Sequence, residues 1–264
     1  MAGPGDPSAQ FVGSSVDKSF LKGLAALEHL AQSDTPLGVT RLAALMGVTK
    51  SNAHRLLTAL VSAGYAEPAQ QRGSYLPSLK LWRLGAQIVA RLDVKAIAAP
   101  HLARLVAETQ ETANLAVLDG PCMVYIDRVE TDTYIRAYNR IGDRHPAHCT
   151  GTGLALLAHA PEELVAQATA ELRPFTPATL TTPQALAARL ELVRRHGFAA
   201  TRSEFRPGIN SIAAPIRGAH GHVVAALGLS GPAEHFRPAR VKSLAPRVIA
   251  VAEKVSRLLG APAP

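Results

Sequence analysis

Cysteine is scarce in this chain of 264 residues, which contains only Cys122 and Cys149. Two dispersed cysteines cannot form a disulfide framework or a zinc knuckle, so both are expected as reduced thiols. Long apolar runs are also lacking, because no stretch reaches the roughly 18 uninterrupted apolar residues that a membrane span needs. Residues 1–15 have no apolar segment like that of a signal peptide, and their Gly, Pro, Ser and Ala predict a disordered leader. We therefore expect a cytoplasmic protein with no membrane partner.

Acidic residues are fewer than basic ones. The 20 Asp and Glu face 28 Lys and Arg, which gives a formal net charge of +8. Such an excess suggests an anionic partner, although arginine-rich composition is also common in proteins from GC-rich genomes. The position of the charge decides, since residues 48–91 contain six basic residues and only one acid, Glu67. This segment, about a sixth of the chain, carries a local charge of +5, which favours a nucleic acid as partner.

The apolar spacing at the start of the chain predicts three short helices that share one core. The first has Ser19 as its cap, and the second runs from a cap at Thr40 to Gly47. The third spans about 50–63, and Gly64 is its C-terminal stop.

Residues 42–57, LAALMGVTKSNAHRLL, have the pattern of a helix-turn-helix. Ala43 is small enough for two helices to cross, Gly47 makes the tight turn, and Val48, Ala53 and Leu56 fill the angle between the helices. With those apolar residues turned inward, the polar residues at the start of the third helix project outward, where a recognition helix meets bases and phosphates. The candidate DNA contacts are Thr49, Lys50, Ser51, Asn52, His54 and Arg55.

Residues 65–67 and 74–76 predict two strands around the polar turn 68–73, which together form a β-hairpin wing. Arg72 in that turn is expected to contact the DNA backbone or minor groove. Asn52 and Arg55 could read adenine and guanine edges or bind phosphates, and the sequence leaves both open. A three-helix bundle with a hairpin could also be a protein-binding or dimerising module, but the turn glycine, polar helix start, wing and local charge together favour DNA.

The remaining pattern predicts an α+β protein with a second, larger domain. We expect the winged helix-turn-helix over 16–78, a linker and dimerisation helix over 79–95, and an antiparallel sheet flanked by helices over 96–264.

An apolar stripe beside Trp82 predicts dimerisation, although it could instead pack on its own winged domain. The stripe consists of Leu81, Leu84, Ile88 and Leu92.

Two regions of the sequence resemble the isocitrate-lyase-regulator (IclR) family of bacterial transcription factors, and the likeness covers almost the whole chain from about Val16. The first is 51–65, which is similar to the family's recognition helix with its His-Arg-Leu-Leu core. The second is 140–158 together with 204–232, where GINSIAAP and SGP resemble the ligand-domain signature. The resemblance implies a GAF-like ligand-sensing domain and dimers that often pair into tetramers. It also implies control of catabolic genes through an operator, expected to be an inverted repeat, and a small organic acid as effector.

The start of the helix after TGTG, residues 150–153, offers backbone N–H groups that could hold a carboxylate, so Gly151 and Thr152 are candidate effector contacts. These glycines could instead only allow close helix packing. The resemblance places the opposite wall at Ser211 and Thr201, where Ser replaces the family's usual cysteine and Thr its usual acid, so neutral hydroxyls face the ligand. Tyr134 and His148 are further contributors that the resemblance implies.

An enzyme is the competing function, because His145, His148 and Cys149 lie together near Thr150. Their spacing does not favour it. A Cys-His nucleophile needs a base oriented by a third group, and metal ligands usually come in pairs one strand or helix turn apart. We therefore expect no catalysis, no metal and no cofactor.

Overall fold

The protein is described by a computed structural model that covers residues 17–89, 93–131 and 140–262, with the backbone alone for Ile88 and Val89. The predicted leader 1–15, Tyr134 and Leu92 lie outside the described residues. The chain divides between Ile88 and Val89 into two compact units. The helices of the first unit are α1 Lys18–Gln32, α2 Val39–Met46, α3 Lys50–Ser62 and α4 Leu79–Val89, and its strands are β1 Leu37–Gly38, β2 Ala66–Pro68 and β3 Ser74–Pro77.

Side chains at the helix ends decide where the helices of the first unit begin. Asp17 caps α1 by accepting a hydrogen bond from the backbone N–H of Ser19 at 2.8 Å, so the prediction of Ser19 as cap was wrong by two positions. The predicted cap Thr40 was also wrong, because Gly38 precedes α2 without a side-chain cap. The short strand β1 pairs with β3 and makes the predicted two-stranded wing a three-stranded antiparallel sheet in the order β1-β3-β2.

The second unit contains a six-stranded antiparallel sheet in the order β6-β5-β4-β9-β8-β7. Its strands are β4 Thr112–Asp119, β5 Cys122–Val129, β6 Arg144–Pro146, β7 Ala199–Arg202, β8 Ile209–Arg217 and β9 Val223–Pro232. Its helices are α5 Asp93–Thr109, α6 Gly151–Leu157, α7 Glu162–Ala170, α8 Pro183–His196 and α9 Pro238–Leu258. The short strands β6 and β7 were not predicted. The α+β fold class was confirmed.

Each face of this sheet carries its own apolar core, because successive side chains of a strand point to opposite faces. In β8, Ile212, Ala214 and Ile216 belong to the core beneath α5 and α9, whereas Ala213 belongs to the core beneath α6 and α8. Ser211 shares the second face with Ala213, so the alternation of β8 directs its hydroxyl toward α6. Among the described helices, none has the length and apolar character of a membrane span.

Candidate functional site

The turn between α2 and α3 has the geometry that the sequence pattern predicts. Gly47 adopts the left-handed conformation, with φ of 62°, and Val48 donates to the carbonyl of Ala43 at 3.0 Å. Ala43 and Ala53 are buried in the shared core. Of the other predicted core residues, Val48 and Leu56 are only half-buried, and Leu57 is the fully buried neighbour. The turn therefore fixes which side of α3 faces outward.

The outward side of α3 is polar and accessible. Thr49 caps the helix by accepting from the backbone N–H of Asn52 at 3.3 Å. Lys50, Ser51, His54 and Arg55 are exposed, and Asn52 is half-buried. The start of α3 thus combines a positive helix end with two long cations, an arrangement that suits phosphate.

A cleft between α1 and the start of α3 adds residues that the sequence reasoning missed. Ser19 and Lys22 of α1 line it together with Ser51, Asn52 and Arg55. With Thr49, two cations and three hydroxyls line one cleft, an arrangement that is suited to a DNA phosphate. A signal was present in the sequence, because Ser19 and Lys22 are three residues apart and so share one face of α1.

The basic residues Arg72 of the wing and Lys80 of α4 have different surroundings. Arg72 is exposed in the turn between β2 and β3, next to Gly73, whose φ is 79°. Lys80 donates to the carbonyl of Ala63 at 2.8 Å and lies 4.2 Å from the centre of the Tyr65 ring. Lys80 therefore ties the start of α4 to the end of α3, and the +5 of this segment overstates the charge that faces outward.

In the second unit the chain brings together three of the predicted effector residues. The backbone N–H of Gly151 donates to Ser211 Oγ at 3.2 Å, and Ser211 Oγ lies 2.6 Å from Thr201 Oγ1. These contacts join the start of α6 to β7 and β8. They also use the Gly151 N–H, and the Gly153 N–H donates to Thr150 Oγ1 at 3.2 Å. The predicted free N–H groups at the start of α6 are therefore largely satisfied within the protein.

The glycines at the start of α6 are needed for packing. A Cβ at Gly151 would clash with Ser211, and one at Gly153 would clash with the backbone of Ala147 and with Thr150. Close packing, the alternative that the sequence left open, is thus a sufficient reason for both glycines.

A small cavity of about 40 Å³ adjoins this cluster. Thr152, Thr201 and Ser211 line it, together with Asn114, Tyr125, Phe205, Arg206 and Ser230. Asn114 Oδ1 and Thr152 Oγ1 are buried without a hydrogen-bond partner among the described residues. Burial raises the pKa of Tyr125 to about 12, and the nearby Thr152 hydroxyl, which makes no hydrogen bond among the described residues, lowers that pKa by a smaller amount. Apart from Arg206, the polar groups of the cavity are therefore neutral donors and acceptors, and two of them are unused.

His148 does not line this cavity. The ring is buried, its Nε2 lies 3.3 Å from the carbonyl of Arg173, and burial lowers its pKa. Glu204, the remaining acid of the neighbouring loop, is also turned away, because its Oε1 accepts from Arg189 at 2.8 Å. Tyr134 lies outside the described residues.

The cluster of His145, His148 and Cys149 lacks the features of a catalytic site. Burial raises the pKa of the Cys149 thiol to about 12, so the nucleophilic thiolate does not form near neutral pH. Within the described ranges, no group of three or more His, Cys, Asp or Glu could hold a metal ion.

Family models match both units. The model described as bacterial transcriptional regulator IclR C-terminal matches residues 86–257, and the IclR helix-turn-helix domain model matches residues 19–69. The chain belongs to the IclR family. Its curated relatives include the regulator XynR of Escherichia coli, 33% identical over 93% of this chain and 98% of that protein. The transcriptional repressor IclR of Escherichia coli is 31% identical over 92% of this chain and 90% of its own length.

Solved structures of IclR proteins have the same fold. IclR of Thermotoga maritima matches with a TM-score of 0.74 and 30% identity over 92% of this chain and 98% of that chain. An IclR homologue of Microbacterium hydrocarbonoxydans, solved in complex with 4-hydroxybenzoate, matches with a TM-score of 0.77 and 26% identity over 90% of this chain and 99% of that chain. The relatives are transcription regulators, so this IclR-family chain is a DNA-binding regulator and not an enzyme.

Proposed function

We propose that this IclR-family regulator binds an inverted-repeat operator as a dimer and controls catabolic genes in response to a small organic acid. The observation that carries the effector assignment is the buried cluster of Gly151, Thr201 and Ser211 beside two polar atoms without partners. Hydroxyls can turn their O–H toward a carboxylate, so the wall of Thr201 and Ser211 accepts an anion, and Arg206 adds a positive charge to the lining. Asn114 Oδ1 in turn suits a ligand that also carries a hydrogen-bond donor.

The small size of the cavity bears on how an effector acts. About 40 Å³ holds a few water molecules, whereas ligand pockets usually measure about 300 Å³ or more. An acid as large as a benzoate therefore requires side chains such as Phe205 to move. Binding then favours a more open arrangement of this unit, and only such a preference lets an effector shift DNA binding.

The apolar surface of α4 supports a dimer. Leu79 is 78% exposed, Trp82 70% and Leu84 41%, which is a large apolar area for a helix in water. Two copies that pack through this surface present two recognition helices, and such a pair reads an inverted repeat. Analytical ultracentrifugation of Trp82→Glu, with the neighbouring exposed Gln87→Glu as matched control, tests this step. If Trp82→Glu remains a dimer, the proposal that the chain dimerises through α4 is wrong.

The effector is tested by calorimetry of the full chain against aromatic and aliphatic carboxylic acids. We expect Ser211→Asp to lower the affinity for an active acid by about tenfold or more, because the new carboxylate faces the ligand's own negative charge. Ser211→Ala adds no charge and removes one hydrogen-bond donor, so it should lower the affinity less. Ser243→Asp, exposed on α9, is the control for added charge. Unchanged affinity in both Ser211 variants would place the effector elsewhere.

A further inference from the structure

A second cavity, of about 250 Å³, lies at the uncovered end of β8. β7 pairs only with residues 210–213 of β8, so among the described strands residues 214–217 have no neighbour on that side. The gap arises because α8 ends at the left-handed Gly197 and β7 begins only at Ala199. The cavity lies between the end of α8, the uncovered part of β8 and the last turns of α9.

Positive charge dominates the lining of this cavity. Arg194 of α8, Arg217 of β8 and Arg257 of α9 line it, and Glu253 is the acid among the described lining residues. The walls between these charges are apolar and include Ala214, Pro215, Ile249 and Ala252. Guanidinium groups from three separate elements therefore border one cavity, whose remaining walls are apolar.

The local structure uses only part of this charge. Arg194 Nε donates to the carbonyl of Ala158 at 2.6 Å, as cations often do at a helix C-terminus, and its Nη1 forms an exposed ion pair with Glu191 at 3.1 Å. Arg217 is on a strand and donates from Nη1 to the carbonyl of Gly221 at 3.0 Å. Arg257 lies 3.9 Å from Glu253, a weak and exposed ion pair. Each guanidinium has five N–H donors, so most of them remain available to a ligand.

His159 reports the electrostatic potential inside the cavity. Its imidazole is half-buried and has no hydrogen-bond partner among the described residues. Burial lowers its pKa first, and the charges of Arg217 and Arg194 lower it further, to about 4. The ring is therefore neutral at physiological pH and adds no charge to the cavity. Glu191 and Glu253 form exposed ion pairs with Arg194 and Arg257, whereas Arg217 contacts no carboxylate among the described residues.

We propose that this cavity binds a small, doubly charged oxyanion, at a site separate from the hydroxyl-lined effector cavity. Arginines bind phosphate and carboxylate oxygens through paired N–H groups, and two or more of them favour a dianion over a monoanion. The cavity is close to the lower end of the usual size for small-ligand sites, which suits an anion of a few heavy atoms. This site does not depend on the proposed effector, because the two cavities share no lining residue.

Calorimetry of the full chain with inorganic phosphate or with succinate, at an ionic strength held constant with chloride, tests the proposal. We expect Arg217→Gln to weaken binding about tenfold through the loss of a charge-assisted hydrogen bond. Glu253→Gln should tighten it, because the variant removes the acid of the lining. Arg247→Gln, exposed on α9 and outside the cavity, should leave the affinity unchanged. The probe that binds identifies the oxyanion as phosphate or dicarboxylate in type.

The imidazole of His159 provides a readout that does not depend on affinity. A bound dianion offsets the arginine charges, so the pKa of His159, followed by NMR, should rise on saturation. The proposal is overturned if neither probe binds, or if Arg217→Gln and Glu253→Gln both bind as the parent protein does. It is also overturned if Ser211→Ala, and not Arg217→Gln, abolishes binding, since the anion then occupies the effector cavity.

Discussion

The DNA-facing side of α3 and the effector cavity differ in how they present polar groups. On α3, Lys50 and Arg55 are exposed cations in water. In the cavity, Thr201 and Ser211 are hydroxyls that already bind each other at 2.6 Å. Exposed cations attract a polyanion over a distance and are weakened by salt, whereas buried neutral groups act only at contact. The DNA-facing side of α3 thus provides long-range attraction, and the effector cavity provides selection at contact. The two should respond differently to substitution.

The largest effect is expected for Arg55→Ala at the DNA surface. Operator affinity should fall about tenfold to a hundredfold if Arg55 contacts a base, and the salt dependence should become shallower if it contacts a phosphate. Fluorescence anisotropy over a salt titration distinguishes the two contacts, and Lys50→Ala can be read in the same way. The comparison breaks down if both variants bind operator DNA like the parent protein at every salt concentration.

The start of α6, which borders the effector cavity, should tolerate almost no added volume. Gly153→Ala places a methyl group against the backbone of Ala147, so the free energy of unfolding should fall by about 1–3 kcal/mol. Gly23→Ala, inside α1, is the matched control, because nothing lies within 4 Å of the added methyl group. The control should gain about 0.5–1 kcal/mol from the better helix former. Urea unfolding measures both, and equal stabilities would show that α6 is not tightly packed.

The cost of buried charge should appear as a pH dependence at His159. Its pKa of about 4 in the folded protein lies below the unfolded value of about 6.5. Between these values the unfolded chain binds more protons, so stability is present above about pH 6.5 and is lost as the pH falls toward 4. The parent protein should therefore lose more stability on acidification than His159→Gln does. Between pH 6.5 and 4 we expect a difference of about 1 kcal/mol in the free energy of unfolding, after allowance for the partial exposure of the ring. The exposed His196→Gln serves as control, and an identical acid profile for His159→Gln and the parent chain would contradict the assignment.

The smallest effect is expected for Lys22→Gln in the cleft beside α3. One phosphate contact fewer should reduce operator affinity about threefold and lower the salt slope by about one. Lys18→Gln, exposed on the same helix and outside the cleft, controls for net charge. If the two variants reduce affinity equally, Lys22 contributes only to the general field of the protein.

The sequence predicted features that depend on nearby residues. Gly47, Thr49 and the apolar spacing of α3 lie within a few positions of one another, and local chemistry determines the turn that they form. The contact of Gly151 with Ser211 spans 60 residues and was expected only through the family resemblance. No local pattern joins Arg194, Arg217 and Arg257, because they meet only where β7 stops short. The caps of α1 and α2 were both displaced by two residues, and at α1 the reason is that Asp17 and Ser19 are both good capping residues.

The uncovered end of β8 also bears on solubility. An open strand edge offers unpaired backbone groups to another chain, and such edges are where proteins begin to aggregate. Pro215 has no backbone N–H to offer, and the N–H of Arg217 is already donated to Ser256 Oγ at 2.9 Å. The charge of Arg217 further disfavours a second strand at this position. The edge that β7 leaves uncovered therefore makes room for the second cavity, and a neighbouring molecule cannot easily add a strand to it.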